Sequence, residues 1–274
     1  MINDIFPHKL YNQFDAKAVA EPDDTVLSFR GNDVLASIEN GVLSFPHVSD
    51  FDADTEYTYL FSLDEEHFFL PKEEAEEISG YEYTYLRGMR GKFPKQNHTM
   101  YAAYTGKHLA DWYRDVKFCG RCGGMMKHSD KERAMVCEKC GYTAYPRIMP
   151  AVIVGIINGD KILITRNRAV YRLNALVSGF TEIGETLEET VEREVMEETG
   201  LHVKNIRYYK SQPWGIANDI LIGYFCDLDG DDTVKMDENE LEYAEWTERD
   251  KIEVPPGDIS LTNEMMNVFK NSQI

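Results

Sequence analysis

Two Cys-x-x-Cys pairs, Cys119-Gly-Arg-Cys122 and Cys137-Glu-Lys-Cys140, stand 14 residues apart near the middle of a 274-residue chain. No other feature restricts the fold as much. Each pair is followed by a glycine, Gly123 or Gly141, which lets the backbone turn so that its amides face the thiolates. Four thiolates on two such knuckles are the donor set of tetrahedral zinc, and a closed set of four leaves no position for a substrate. A redox pair would need a helix N-terminus beside one of the cysteines, and a disulfide an oxidising compartment. Cys119, Cys122, Cys137 and Cys140 are therefore expected to hold structural Zn²⁺. The fifth cysteine, Cys226, lies in an apolar strand-like run and reads as a core residue.

Charge sets this middle stretch apart. Residues 1–118 carry 11 basic and 21 acidic side chains, residues 119–150 carry 6 and 3, and residues 151–274 carry 12 and 24, within a formal charge of −19. Such a field repels polyanions and argues against a DNA-coating or membrane-surface protein. The ribbon's own basic residues (Arg121, Lys127, Lys131, Arg133, Lys139, Arg147) fit a nucleic-acid contact, but its modest excess reads better as a fold staple. The longest clean apolar run, Ala151 to Ile157, is far short of the ~20 residues a membrane helix needs. The first residues lack a basic region followed by an apolar stretch, so a cytoplasmic location is expected.

Three domains are expected: a mixed α/β domain over 1–114, a zinc ribbon over 115–149 and a second α/β domain over 150–274. In the first, aromatic and polar residues alternate as in short strands (Tyr57 to Leu63, His67 to Leu70), with turns at Arg30-Gly-Asn-Asp and Glu39-Asn-Gly. Pro71-Lys-Glu-Glu-Ala-Glu-Glu-Ile predicts a helix with Pro in its first turn, and Ala102 to Trp112 predicts another. From Pro150 a buried strand, a turn at Asn158-Gly-Asp and a second strand lead to a long acidic helix. Strand-like runs at 206–211 and 220–227 and a final helix near 263–269 follow, giving an α/β (α+β) fold.

The acidic helix carries the chemistry. The 23 residues from Gly179 to Leu201 hold eight glutamates. Thr186 is placed to start the helix and Gly200 to end it. At about 100° per residue, Leu187, Val191 and Val195 define a buried stripe. Glu194, Glu197 and Glu198 fall on or beside that stripe, while Glu188, Glu189 and Glu192 point to water. Carboxylates crowded at a buried edge need cations, and all-oxygen donor sets suit Mg²⁺ or Mn²⁺. Arg193 is placed to pair with a carboxylate of the preceding loop.

The spacing Gly179-x5-Glu185-x7-Arg193-Glu194-Val195-x-Glu197-Glu198-x-Gly200-Leu201 matches the signature of the Nudix hydrolases, and the chain is identified as resembling that family. The order of variable N-terminal domain, four-cysteine ribbon and Nudix domain resembles its NADH pyrophosphatase branch. So does Ser211-Gln212-Pro213-Trp214, which begins that branch's Ser-Gln-Pro-Trp-Pro-Phe-Pro-x-Ser motif; Gly215-Ile-Ala-Asn-Asp219 replaces the second half. The resemblance implies a Nudix fold, a mixed sheet sandwiched between helices, and a metal-dependent, homodimeric pyrophosphatase. Its implied reaction splits NADH or NAD⁺ into AMP and a nicotinamide mononucleotide and extends to NAD caps on RNA. A broader hydrolase of ADP-ribose or dinucleoside polyphosphates is the alternative; a catalytically silent nucleic-acid-binding regulator is the remote one. By resemblance the catalytic group is Glu185, Arg193, Glu194, Glu197 and Glu198. Metal binding falls to Glu194, Glu197, Glu198, Glu240 and the Ser178 carbonyl, and base stacking to Phe180 and Trp214. Gln212, Asp219, Tyr145, Ser260 and Arg90 are further substrate contacts.

Overall fold

A computed structural model describes residues 1–168, 173–254 and 259–274. The Pro255-Pro-Gly-Asp run that precedes Ser260 lies outside the described residues. The chain divides into two compact units, residues 2–148 with 214–218, and residues 149–213 with 219–274 and Met1. No helix among the described residues is long and apolar enough to cross a membrane.

In the first unit, Leu10–Tyr11, Tyr57–Leu63, Glu66–Pro71 and Thr25–Val26 form one sheet in that order. Phe29–Arg30, Asp33–Glu39 and Val42–Ser44 form another, with Glu82–Tyr85 paired to Asp33–Glu39. The hairpin at Glu39 turns through Asn40 (φ 52°) and Gly41 (φ 77°), the two left-handed residues whose twist suits a tight hairpin. Helix α1 (Asn97–Asp115) buries Met100, Ala103, Tyr104, Leu109 and Trp112. The helix expected over 71–78 is absent. Pro71 ends a strand, and residues 72–78 form no regular element. Their acidic run offers no apolar stripe to bury, and a helix that short does not hold itself together in water. Instead Lys72 N–H donates to the Glu56 carbonyl (2.9 Å) and Glu74 pairs with Arg30 (2.7 Å). The cysteine module is a three-stranded antiparallel sheet with Met135–Cys137 between Met126–His128 and Thr143–Ala144.

The second unit is organised on one strand. β1 (Met149–Asn158) turns through Gly159 (φ 61°) into β2 (Lys161–Asn167). β3 (Val177–Phe180), α2 (Leu187–Thr199), β4 (Val203–Trp214), β5 (Asp219–Leu228), β6 (Leu241–Glu248) and α3 (Leu261–Lys270) follow. The sheet order is β4-β5-β1-β2-β6. β1 is shared: its end pairs with β2 at Ile157 and Asn158, and its first half pairs with β3 from Ala151 to Val154. On its other side it runs parallel to β5.

Alternation along β1 and β5 decides which helix covers which face. Val152, Val154, Ile156, Ile222, Tyr224 and Cys226 meet Val191 and Val195 of α2 in one buried cluster. The opposite face takes α3. Gly223 is glycine there because a Cβ would lie 2.8 Å from Met265 Sδ and 3.3 Å from Leu261 Cδ2. This is the mixed sheet between helices that the family resemblance implies, and Cys226 is a core residue as expected. Phe269, fully buried on α3, is expected to stabilise this unit strongly. Phe269→Ala should cost about 3–5 kcal/mol, read as a fall in the unit's urea midpoint; an unchanged midpoint would remove α3 from the core.

Candidate active site and cysteine centre

Helix α2 starts in a capping box. Thr186 Oγ1 accepts the Glu189 N–H (3.2 Å) while Glu189 Oε2 accepts the Thr186 N–H (2.8 Å). It ends at Gly200, left-handed at φ 68°. Between these ends the expected wheel holds for Glu194 and Glu198 but not for Glu197, which is expected beside the stripe and instead faces solvent, on the exposed side of α2 with Arg193. Glu194 and Glu198, one turn apart beside the buried stripe, are only 9% and 5% exposed, whereas Glu188, Glu189, Glu192 and Glu197 face solvent.

Strand β3 covers the two buried carboxyls. At Gly179 a Cβ would lie 1.9 Å from Glu194 Cδ, so a side chain at 179 and a carboxyl at 194 exclude one another. The neighbouring Ser178 N–H reaches Glu198 Oε1 at 3.5 Å. Burial pushes the Glu198 carboxyl up to about 8, with the charges of Glu194, Glu240 and Asp237 adding to the shift. Burial also raises Glu194, against the pull of Arg193.

Arg193 ties these parts together. Its Nε and Nη2 donate to Glu185 (2.6 and 2.9 Å), Nη1 to Glu194 (2.7 Å) and Glu197 (3.0 Å), and Nη2 to the Phe180 carbonyl (2.9 Å). Glu185 is the loop carboxylate that the sequence leads one to expect, and the guanidinium holds it ionised, down to about 2. Glu240 precedes β6, with its carbonyl accepting Arg168 N–H (3.0 Å). Asp237 escaped the sequence reading. Its Oδ1 accepts the Asn239 backbone N–H (2.8 Å) within an acidic loop, so the available signal was the Asp-x-Asn turn.

The donor chemistry at this edge is all oxygen, which fits a hard divalent cation. Two nearly buried carboxyls with few donors supply the reason one would bind. The carboxylates do not converge tightly, however. Among the described residues, the four cysteines are the group of three or more candidate ligands whose donor atoms lie within 4.8 Å of one another. Arg193 takes up Glu194 and Glu197 instead.

The cysteines do converge. Cys119 and Cys140 Sγ are 3.7 Å apart and Cys122 and Cys137 Sγ 3.5 Å apart, too far for a disulfide and close to the ~3.8 Å edge of a tetrahedron with ~2.3 Å zinc–sulfur bonds. Gly123 and Gly141 donate their N–H groups to the Cys119 and Cys137 carbonyls (2.8 and 3.0 Å), both with φ near the left-handed region's centre, and Arg121 N–H points at Cys119 Sγ (3.4 Å). These residues fit zinc without rearrangement.

The remaining candidates separate. Phe180 is 51% exposed at the end of β3. Asp219 opens β5, buried, with Oδ1 lacking a hydrogen-bond partner among the described residues, and burial pushes its carboxyl up to about 6. Gln212 is fully buried; its amide donates to the Ile259 carbonyl (2.8 Å) and accepts Leu261 N–H (2.7 Å). Ser260 caps α3 by accepting Asn263 N–H (3.3 Å). Both side chains thus serve the start of α3. In the first unit, Trp214 stacks with Tyr104 (6.4 Å between ring centroids) and carries the Arg90 guanidinium 5.0 Å from its own centroid. Tyr145 is exposed and donates to Glu132 (3.0 Å).

Residues 147–266 match the family profile described as NUDIX domain, and residues 114–145 that described as NADH pyrophosphatase zinc ribbon domain. The match to a NUDIX domain is thus preceded directly by a match to the NADH pyrophosphatase zinc ribbon. Over 161 residues it is 42% identical to a protein of Enterobacter sp. (strain 638) named NAD-capped RNA hydrolase NudC, covering 58% of this chain and 62% of that one. It is 41% identical, with the same coverage, to the protein of that name from Pectobacterium atrosepticum. The match therefore spans less than two thirds of these relatives' length. A NUDIX hydrolase from Nitrosomonas europaea superposes with a TM-score of 0.50 at 20% identity, over 57% of this chain and 92% of that one, a likeness of fold.

Two measurements follow from the geometry. Glu198 binds its proton more tightly in the folded state (about 8) than unfolded (~4.5). Its contribution to stability is full below ~4.5 and is lost as pH rises through 8. Glu198→Gln should therefore stabilise the protein, free of added divalent cations, by on the order of a few kcal/mol at pH 9 and little at pH 4.5; urea midpoints that do not diverge with pH would contradict the burial. Second, Cys137→Ala should remove one zinc per chain by elemental analysis and lower the ribbon's thermal midpoint, whereas Cys226→Ala should leave zinc content unchanged.

Proposed function

We infer that this chain is a metal-dependent pyrophosphatase that cleaves the diphosphate of NAD⁺ or NADH to AMP and a nicotinamide mononucleotide, and removes NAD caps from RNA by the same cut. One observation carries the reading: Glu194 and Glu198 lie buried one turn apart beneath β3, with Arg193 tied back to Glu185. The ribbon profile and the relatives' names support the same substrate class. The reading extends to a cytoplasmic homodimer, as the family resemblance implies.

Mg²⁺ or Mn²⁺ would be held by Glu194, Glu197, Glu198, Glu240 and the Ser178 carbonyl, and when bound would supply charge neutralisation and Lewis-acid polarisation at the phosphates. The chain's own groups do the rest. Glu185, held ionised at about 2, is too weak a base to take a proton from water; with Arg193 it positions the β3 end through the Phe180 carbonyl. A glutamate of the α2 edge takes the proton of the attacking water. Phe180 offers its exposed ring to a base. Trp214, Arg90 and Tyr145 are proposed as further substrate contacts, and the four cysteines as a structural zinc site.

The departure at Gly215 to Asp219 favours, as a second reading, a broader hydrolase of ADP-ribose or dinucleoside polyphosphates. Incubation with Mg²⁺ or Mn²⁺ and equimolar NADH, NAD⁺, ADP-ribose and a diadenosine polyphosphate, with products identified by mass, separates the two. AMP and a nicotinamide mononucleotide are expected; AMP from ADP-ribose alone would leave the second reading, and no AMP at all would end both. Glu198→Gln should lower kcat at least about a hundredfold with zinc content unchanged. Gly179→Ala, which drives a methyl into the Glu194 carboxyl, should do likewise.

A further inference from the structure

Asp219 is 6% exposed, and its Oδ1 has no hydrogen-bond partner among the described residues. Buried polar atoms are as a rule paired, so an orphaned carboxylate oxygen calls for a partner beyond the described residues, and a ligand is one. Strand register shows where that partner would lie. Met149 stands opposite Asp219 and Ala151 opposite Leu221 across the β1–β5 pair, and Ala151 stands opposite Phe180 across the β1–β3 pair. Register partners on adjacent strands share a face, as do residues two apart on one strand. Asp219, Leu221, Ala151 and Phe180 therefore project from a single face.

That face is the one turned to α3. Gly223, two residues beyond Leu221, is the position whose Cβ would meet Met265 and Leu261, whereas Gly179, the neighbour of Phe180, would meet Glu194 of α2 on the reverse side. Asp219 and Phe180 are two strands apart at the same end of the sheet, roughly 10 Å laterally at ~4.8 Å per strand. A heterocycle stacked on Phe180, with its exocyclic amide and ribose, covers that span.

Both groups favour one charge. The face of the exposed Phe180 ring attracts cations, and a desolvated carboxylate does so more strongly than a hydroxyl. The two redox forms of a nicotinamide dinucleotide differ in that respect, since the oxidised ring is a cation and the reduced ring is neutral. We propose that Asp219 is a specificity-determining residue which, facing Phe180 across β1, makes this chain favour oxidised, pyridinium-bearing dinucleotides over reduced ones. Burial raises its carboxyl only to about 6, so it is ionised at pH 8.

The proposal rests on the pyrophosphatase reading, and the test keeps the two apart. Initial rates of AMP release from NAD⁺ and from NADH are measured at pH 8 on the wild-type chain, Asp219→Asn and Asp219→Ser. The wild type is expected to show a kcat/KM about tenfold higher for NAD⁺, and both variants to lower that ratio about tenfold, a change expected for one charge on a desolvated ring. A wild-type ratio at or below one overturns the proposal even if neither variant folds. So does a ratio that neither folded variant lowers, including an equal loss on both substrates. A wild type that cleaves neither dinucleotide overturns the pyrophosphatase reading itself, before any ratio exists.

Discussion

Arg193 makes five hydrogen bonds, to both oxygens of Glu185, to Glu194, to Glu197 and to the Phe180 carbonyl. Its planar fork meets acceptors at fixed angles, which a lysine could not do. Through Glu185 it orders the loop ahead of α2, and through Phe180 it fixes the end of β3. β3 in turn covers Glu194, which requires glycine at 179. The position of the Glu194 carboxyl thus depends on one guanidinium.

That guanidinium leaves the local charge unbalanced. One cation pairs with Glu185, Glu194 and Glu197, and Glu198 has its carboxyl pushed up to about 8. A protein that needed this edge for stability only would have filled it with apolar side chains of similar volume, since buried charges contribute little net stability. The residual negative charge is better explained by what it attracts. In the proposed reading, a chain of formal charge −19 repels a diphosphate over most of its surface, and cations bound at these glutamates would reverse the sign locally.

Much of this arrangement is legible in sequence because α2 is local. A 3.6-residue period, a Thr186–Glu189 box and a terminal glycine set the helix, and the wheel separates Glu194 and Glu198 from Glu188, Glu189 and Glu192; Glu197, near the stripe's margin on the wheel, is exposed. The cysteine knuckles are legible for the same reason. What was not legible depends on tertiary packing. The acidic run after Pro71 has helical composition but no apolar face to hold it against a sheet. Gln212 and Ser260 are substrate contacts by resemblance; that their side chains also hold the start of α3 emerges only from packing. Asp219 differs from Ser in a motif comparison by one charge; that the charge is buried beside β1, with Oδ1 unpartnered among the described residues, emerges only once β1, β3 and β5 are in register.

The two metal-type clusters differ in a way that follows from side-chain length. A cysteine places its sulfur one bond beyond Cβ, so a backbone knuckle that fixes two cysteines fixes both donors, and the four sulfurs lie within 4.8 Å. A glutamate places its oxygens three bonds out, on a side chain whose rotamers are settled by whichever cation is nearest. With Arg193 present that cation is a guanidinium, and Glu194 and Glu197 turn to it. Preorganised thiolates bind early and tightly enough to be part of the fold, whereas the carboxylates must be drawn from Arg193 at a cost in its hydrogen bonds. In the proposed reading the carboxylates would suit a cation that comes and goes with a phosphate ligand, and the four converged cysteines a permanent staple.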